Sequence, residues 1–275
     1  MSESAAHPFD EMVQWPEREI RLASAALLFA RDAYPHLEVA GYLARLDRMA
    51  DRVAAAAGCD PLDRLETMRA VICGEEEYRG NTADYFDPRN SYLNEVLDRR
   101  LGIPISLSVL WLDVARKLDW PLVGVNFPGH FLLRYEADGG PIYVDAFMEG
   151  AVLGEDELRG RLSAPLCRGR RIPPEYMAMA GTKAILMRML NNLLGIHLQQ
   201  CNWQAAEPVL ARQVALCPED ADLWYRLGQV YVSLHQCPKA VACLERSLEL
   251  MGCHPDAATV RHHLLAARKR LGEIN

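Results

Sequence analysis

Three stretches decide the fold of this 275-residue chain: Arg99–Trp111 reads "RRLGIPISLSVLW", Phe127–Tyr135 reads "FPGHFLLRY", and Tyr143–Phe147 reads "YVDAF". The first places a glycine and a proline before an apolar run, which predicts a helix over residues 104–118. Residues 121–136, "PLVGVNFPGHFLLRYE", and residues 141–147, "PIYVDAF", contain the other two stretches and read as two strands joined by the glycine turn "DGG", so they predict a hairpin. His130 precedes one strand and Asp145 ends the other, and we expect the hairpin to bring these side chains together.

In papain-like and transglutaminase-like sites a cysteine lies at the start of a helix, where the helix dipole favours its thiolate, and a histidine and an aspartate come from adjacent strands. Residues 99–118 contain no cysteine; the hydroxyls near the helix start belong to Ser106 and Ser108. Two interpretations of Ser106 stay open. It is either a nucleophile, with His130 as general base and Asp145 as orienter, or a hydroxyl that satisfies free amides at the helix N-terminus.

A polar loop, "NTADYFDPRNSYLNE", precedes this helix and carries Asn81, Asp84, Asp87, Asn90 and Asn94. These side chains are candidates to line a groove for a small ligand. The alternative is that they cap helices and form turns, the backbone roles that Asn and Asp suit.

Helical periodicity extends over most of the remaining chain. Residues 17–57 predict two amphipathic helices broken at Pro35, a third runs from Pro61 to about Cys73, and "LGEDELRGRL" predicts a short one. The fold class is therefore α+β, mostly helical, with a small antiparallel sheet.

The tail contains an internal repeat, which appears when positions 187–220 are aligned with positions 221–254. The second copy contains Trp224, Leu227, Gly228 and Tyr231, the W-x2-L-G-x2-Y pattern of a tetratricopeptide repeat, and we expect its Trp and Leu to be core. We expect domains at 1–180 and 181–275, the second consisting of two repeats and a capping helix and joined without a flexible linker.

Composition excludes several function classes. The formal charge is −7, and an acidic chain disfavours direct nucleic-acid binding, which depends on clustered Lys and Arg. No uncharged apolar run is long enough to span a membrane, and the first residues lack the pattern of a signal peptide, so we expect a cytoplasmic protein.

The eight cysteines include no CxxC pair, and we expect reduced core thiols, no metal and no cofactor. A metal site at Cys253, His254, His262 and His263 is the alternative to a solvated helical face.

The segment from Tyr78 to Tyr135, together with "YVDAF", resembles the SirB-type transglutaminase-like family, described as regulators of SirC expression. "MRMLNNLLGIHLQQCNWQAA" resembles that family's junction with tetratricopeptide repeats. The resemblance implies a papain-like core in which His130 and Asp145 match the base and orienter, while the nucleophilic cysteine falls near residues 104–106 and is absent.

Two functions follow from this resemblance. One is a non-catalytic or degenerate protein that binds a protein or peptide partner through its groove and repeats. The other is a hydrolase or acyl transferase that uses Ser106, His130 and Asp145.

Overall fold

The computed structural model of the chain describes residues 7–161, 172–252 and 254–274. These residues divide into two compact units, one spanning Pro16–Met189 and the other combining the described residues up to Trp15 with those from Leu190 onward. The division falls later than the expected boundary at residues 180 and 181. Cys167 and Cys253 lie outside the described residues, so the structure says nothing of the suggested metal set that includes Cys253.

The helices and strands are largely segregated along the chain, as is usual in an α+β fold. The helices are α1 (Pro8–Met12), α2 (Leu22–Ala30), α3 (Val39–Ala56), α4 (Pro61–Arg69), α5 (Leu93–Arg99), α6 (Pro104–Lys117), α7 (Glu155–Arg161), α8 (Thr182–Gln199), α9 (Trp203–Leu216), α10 (Ala221–Ser233), α11 (Cys237–Met251) and α12 (Ala257–Ile274). The strands are β1 (Arg79–Gly80), β2 (Leu101–Gly102), β3 (Leu122–Val125), β4 (Leu132–Ala137), β5 (Gly140–Asp145) and β6 (Ala151–Leu153). The predicted α+β class is confirmed.

Helix α6 is the centre of the first unit. Pro104 occupies its first turn, where a missing amide hydrogen costs nothing, and the run from Pro104 to Leu110 is buried throughout. A helix that is apolar on all sides must be surrounded by other elements. Helices α2 and α3 and strands β3 and β4 pack against it.

The sheet is larger than the predicted hairpin. Strands β3, β4, β5 and β6 form one antiparallel sheet in that order. The prediction of a single strand before the "DGG" turn was wrong, because the chain folds back at Pro128 and Gly129. Gly129 has a positive φ of 71°, which glycine adopts without steric cost. The β4–β5 hairpin itself is present, with Leu133 opposite Val144.

The second unit repeats its geometry in the register of the sequence repeat. When 187–220 is aligned with 221–254, the ends of α8 and α10 coincide, and so do the starts of α9 and α11. The turns between them also match, since Cys201 and His235 have φ values of 53° and 56°. The buried side chains agree with the aligned register in three pairs: Leu193 with Leu227, Ala206 with Ala240, and Leu210 with Leu244.

Trp224 departs from the prediction that it is core. Its side chain is only half-buried, and its indole Nε1 donates a hydrogen bond to the carbonyl of Pro218 at 2.8 Å. Because the indole N–H needs a hydrogen-bond partner, and the Pro218 carbonyl that accepts it lies near the surface before α10, the Trp224 ring is not fully buried.

Two absences hold for the part of the chain that the structure describes. None of its helices is long and apolar enough to cross a bilayer. None of its His, Cys, Asp and Glu side chains form a set of three arranged to hold a metal ion.

Candidate functional site

The β4–β5 hairpin brings His130 and Asp145 together. His130 lies in the turn that enters β4, and Asp145 is the last residue of β5. His130 Nε2 lies 3.0 Å from Asp145 Oδ1, with the histidine side chain 18% exposed and the aspartate fully buried. The imidazole is therefore reachable from solvent, while its partner is not.

Asp145 is held as a carboxylate by several donors. Its Oδ1 also accepts hydrogen bonds from the backbone amides of Phe147 at 3.0 Å and Met148 at 3.3 Å, and its Oδ2 pairs with Arg161 Nη1 at 2.6 Å. Burial by itself would raise the pKa of Asp145, but the His130 hydrogen bond, the charges of His130 and Arg161 and the Phe147 amide together lower it.

The ionised Asp145 decides which histidine nitrogen carries the proton. A carboxylate accepts hydrogen bonds and cannot donate them, so Nε2 of a neutral His130 is protonated and Nδ1 is left as the acceptor. No hydrogen bond from the described residues reaches Nδ1. The arrangement is that of an oriented base with its accepting nitrogen available.

Ser106 is hydrogen-bonded to the loop before α6 and to the start of that helix. Its fully buried Oγ donates to the carbonyl of Asn90 at 2.6 Å and accepts from the amide of Ile103 at 3.0 Å. Among the described residues, no hydrogen bond joins Ser106 to His130. The hydroxyl fulfils the alternative role from the sequence, satisfying a free amide at the start of α6.

Ser108 and Cys73 are two further candidate nucleophiles, and neither is activated. Ser108 Oγ donates to the carbonyl of Pro104 at 2.7 Å. Sequence positions 74–166 contain no cysteine. Cys73 is buried, and this burial together with the charge of Glu149 raises the pKa of its thiol to about 12, so it stays protonated at neutral pH.

The three asparagines proposed for a groove are buried instead. Asn81 Nδ2 donates to Asn90 Oδ1 at 3.0 Å, and Asn90 Nδ2 donates to the carbonyl of Asp84 at 2.7 Å. Asn94 is 3% exposed. Asn81 and Asn90 thus take the alternative role from the sequence, since they satisfy polar groups of their own loop. Asp87 likewise caps the following turn by accepting from the amide of Arg89 at 2.9 Å.

A row of aromatic rings that the sequence analysis did not predict begins beside His130. The Phe147 ring lies edge-on to the imidazole at 6.3 Å between centroids, and Tyr85 meets Phe147 at 6.0 Å. Phe86, which packs on Tyr85, is 68% exposed. We call Tyr85, Phe86, His130 and Phe147 the His130 surface; its exposed rings could contact an apolar group of a ligand.

Two arginines that the sequence did not single out also support the site. Arg161 pairs with Asp145, as described above. Arg188 Nη2 donates to the carbonyl of His130 at 2.8 Å, and Nη1 bonds the side chain of Asn126. Arg188 therefore fixes the turn that carries the imidazole. In the sequence, Arg188 is the single charged residue of the apolar run "AILMRML", and that pattern could have marked it as a buried arginine with a specific partner.

Comparisons with known proteins give one matching family model and several similar proteins. Residues 40–191 match the family model described as the transglutaminase-like superfamily. A UPF0162 protein of Xylella fastidiosa (strain Temecula1) is 35% identical over 260 residues, covering 90% of each chain. A UPF0162 protein of Pseudomonas aeruginosa is 32% identical over 269 residues, covering 92% of this chain and 90% of the relative. Human F-box only protein 21 is 33% identical over 191 residues, which cover 66% of this chain and 30% of that protein.

Proposed function

This chain belongs to the transglutaminase-like superfamily, and we propose that it is a non-catalytic member that acts as a protein-interaction or regulatory module. Its partner is a protein or peptide, which it contacts through the His130 surface and through its helical repeats. The SirB-type resemblance, with its description as a regulator, supports the same class of function.

The observation that carries this proposal is the bonding of Ser106. A serine nucleophile must give its proton to a base, and a backbone carbonyl such as that of Asn90 is not a base. The cysteine that the superfamily uses has no replacement near α6 in the sequence, and the thiol of Cys73 is buried with a raised pKa.

We propose further that α8 to α11 are two tetratricopeptide-type repeats and that α12 caps them. The matched helix ends, the paired positive φ values and the buried small residues Ala206 and Ala240 support this assignment. Such helix pairs present elongated surfaces on which a segment of another chain binds.

A cytoplasmic location completes the proposal. The six cysteines within the described residues are free thiols, as is usual in a reducing compartment.

The second candidate is a hydrolase or acyl transferase with a Ser106–His130–Asp145 site. It is favoured by one specific observation, the 3.0 Å contact between His130 and Asp145 that leaves Nδ1 as an acceptor. For this function Ser106 would have to leave both Asn90 and Ile103.

Reaction with a fluorophosphonate probe separates the two candidates. We expect the intact mass of the wild-type protein to stay unchanged after incubation, because the hydroxyl of Ser106 has no base. Ser106→Ala and His130→Ala are the matched variants, each checked for folding by circular dichroism. A single adduct on the wild type that both variants lose would overturn the non-catalytic proposal and favour the hydrolase.

A further inference from the structure

The described residues 7–15, which we call the N-terminal segment, are bound in the second unit about 200 positions away along the chain. Helix α1 packs against α9. Phe9 and Val13 are both fully buried, and their spacing of four puts them on one face of a helical turn. Two apolar anchors therefore fix the segment to the repeats.

Polar contacts of Asp10 and Gln14 with α9 support the docking. Asp10 Oδ2 lies 2.5 Å from Arg212 Nη1, and the arginine side chain is only 12% exposed. Gln14 Nε2 donates to the carbonyl of Ala215 at 3.2 Å. That carbonyl lies in the last turn of α9, where no amide of the helix is available to it.

The N-terminal segment owes its helical form to this contact. Helix α1 has five residues, too few to be stable alone, because nucleation fixes several dihedral angles for little hydrogen bonding. The imidazole Nδ1 of His7 accepts the amide of Phe9 at 3.2 Å and caps the turn. The contact with α9 thus stabilises a helix that is too short to persist alone.

We propose that this face of α9 is a peptide-docking surface that the N-terminal segment occupies in cis and that a partner protein occupies in trans. The partner's segment has the same chemistry: an aromatic residue, then an acidic residue, then an apolar residue four positions after the aromatic one. The acid meets Arg212, and the two apolar side chains take the places of Phe9 and Val13. This inference rests on the proposed interaction function and names the surface and the ligand class.

The test uses the full chain and a fluorescein-labelled peptide with the sequence of residues 7–15, "HPFDEMVQW". In the Phe9→Ala/Val13→Ala variant the cis segment is weakened, so we expect the peptide to bind at least about tenfold more tightly than to the wild type, where a tethered competitor holds the site. Fluorescence anisotropy measures the affinity, and circular dichroism checks the fold.

Charge reversal tests the register of the docked peptide. Adding Arg212→Glu to that variant should weaken peptide binding about tenfold, and a peptide carrying Asp10→Lys should recover most of the loss. If the double variant does not fold, full-length Asp10→Lys replaces it, because it weakens the cis segment without removing an apolar anchor.

Three results would overturn the inference: no binding to a folded variant, equal binding to wild type and variant, or binding that ignores the charge at Arg212. Light scattering tests for a second copy of the chain on this surface. If the wild-type protein is a dimer and the peptide dissociates it, the surface is a dimer interface and the inference is overturned. None of these outcomes involves Ser106 or His130. The peptide experiment can therefore fail while the non-catalytic proposal stands. That proposal fails only if the fluorophosphonate probe labels the protein.

Discussion

His197 shows how one buried side chain links structure to pH. It is 5% exposed within α8, and neither ring nitrogen has a hydrogen-bond partner among the described residues. Burial lowers its pKa, because the charged ring would lose its hydration without compensation. The folded protein therefore holds His197 neutral at a cost in free energy.

We predict that His197→Leu raises the free energy of unfolding by about 1–3 kcal/mol at pH 7, since it removes two unbonded polar atoms. The gain should grow on acidification. The unfolded chain binds a proton near pH 6.5 and the folded chain only at lower pH, so the wild type loses stability as pH falls through that window.

Urea unfolding at pH 7.5 and 5.5 measures both effects. The matched control is His262→Leu at an exposed position of α12, which should change stability by no more than about 0.5 kcal/mol. If wild type and His197→Leu lose the same free energy of unfolding between pH 7.5 and pH 5.5, a group other than His197 causes the loss.

At the scale of elements, the turn between β5 and β6 is locked against α6 by a glycine. Gly150 has a φ of 74°, and a Cβ added there would lie 2.7 Å from the ring of Trp111, which is itself buried. The backbone amide of Gly150 also donates to the carbonyl of Asp145 at 2.9 Å. The turn that follows Asp145 thus depends on a residue without a side chain.

Gly150→Ala should cost about 2–4 kcal/mol, because the new methyl group combines backbone strain with a clash in the core. Gly139→Ala is the control, since a Cβ at that position meets no atom within 4 Å. The midpoints of chemical denaturation report both changes. Equal midpoints for the two variants would contradict the packing of Gly150 on Trp111.

The helix pairs of the second unit are held by Leu227 rather than by Trp224. Leu227 is buried at 4% exposure, whereas Trp224 is half-buried and bonds Pro218. We predict a loss of about 2–5 kcal/mol for Leu227→Ala. Trp224→Ala should cost about 1–2 kcal/mol, mainly a hydrogen bond and partial burial. Thermal unfolding ranks the two, and the reverse order would contradict the observed burial.

For the whole molecule, charge distribution decides which partners are attracted. Arg45, Arg48 and Arg52 lie at helical spacing on α3 and, with Arg100, line a cavity of about 530 Å³. Nearby carboxylates offset them: Asp98 lies 2.5 Å from Arg45, and Glu76 lies 2.6 Å from Arg52. The cavity is therefore not a free cationic surface within a chain of net charge −7.

We predict no binding of duplex DNA with a Kd below about 10 μM at physiological salt, because uncompensated Lys and Arg supply that affinity. Fluorescence anisotropy with a labelled duplex at two salt concentrations measures it. A salt-dependent Kd that Arg48→Glu/Arg52→Glu abolishes would contradict the prediction.

The sequence alone determined what depends on neighbours along the chain. Apolar periodicity predicted α3 and α6, the internal repeat of the tail predicted the repeated helices, and the hairpin predicted the contact of His130 with Asp145. Tertiary structure alone decided what depends on distant residues. The Ser106 hydroxyl donates a hydrogen bond to the carbonyl of Asn90, 16 positions earlier, and the N-terminal segment docks on α9 about 200 positions later.

The physical reason is that periodicity records which face of an element is buried, not what covers it. The turn at Gly129 interrupts an apolar run that reads as one strand, and Trp224 matches a core motif while its N–H needs a carbonyl near the surface. Asn81 and Asn90 bond within their own loop for the same reason: most buried polar groups of a folded chain have a partner, and only the tertiary structure decides which partner lies within reach.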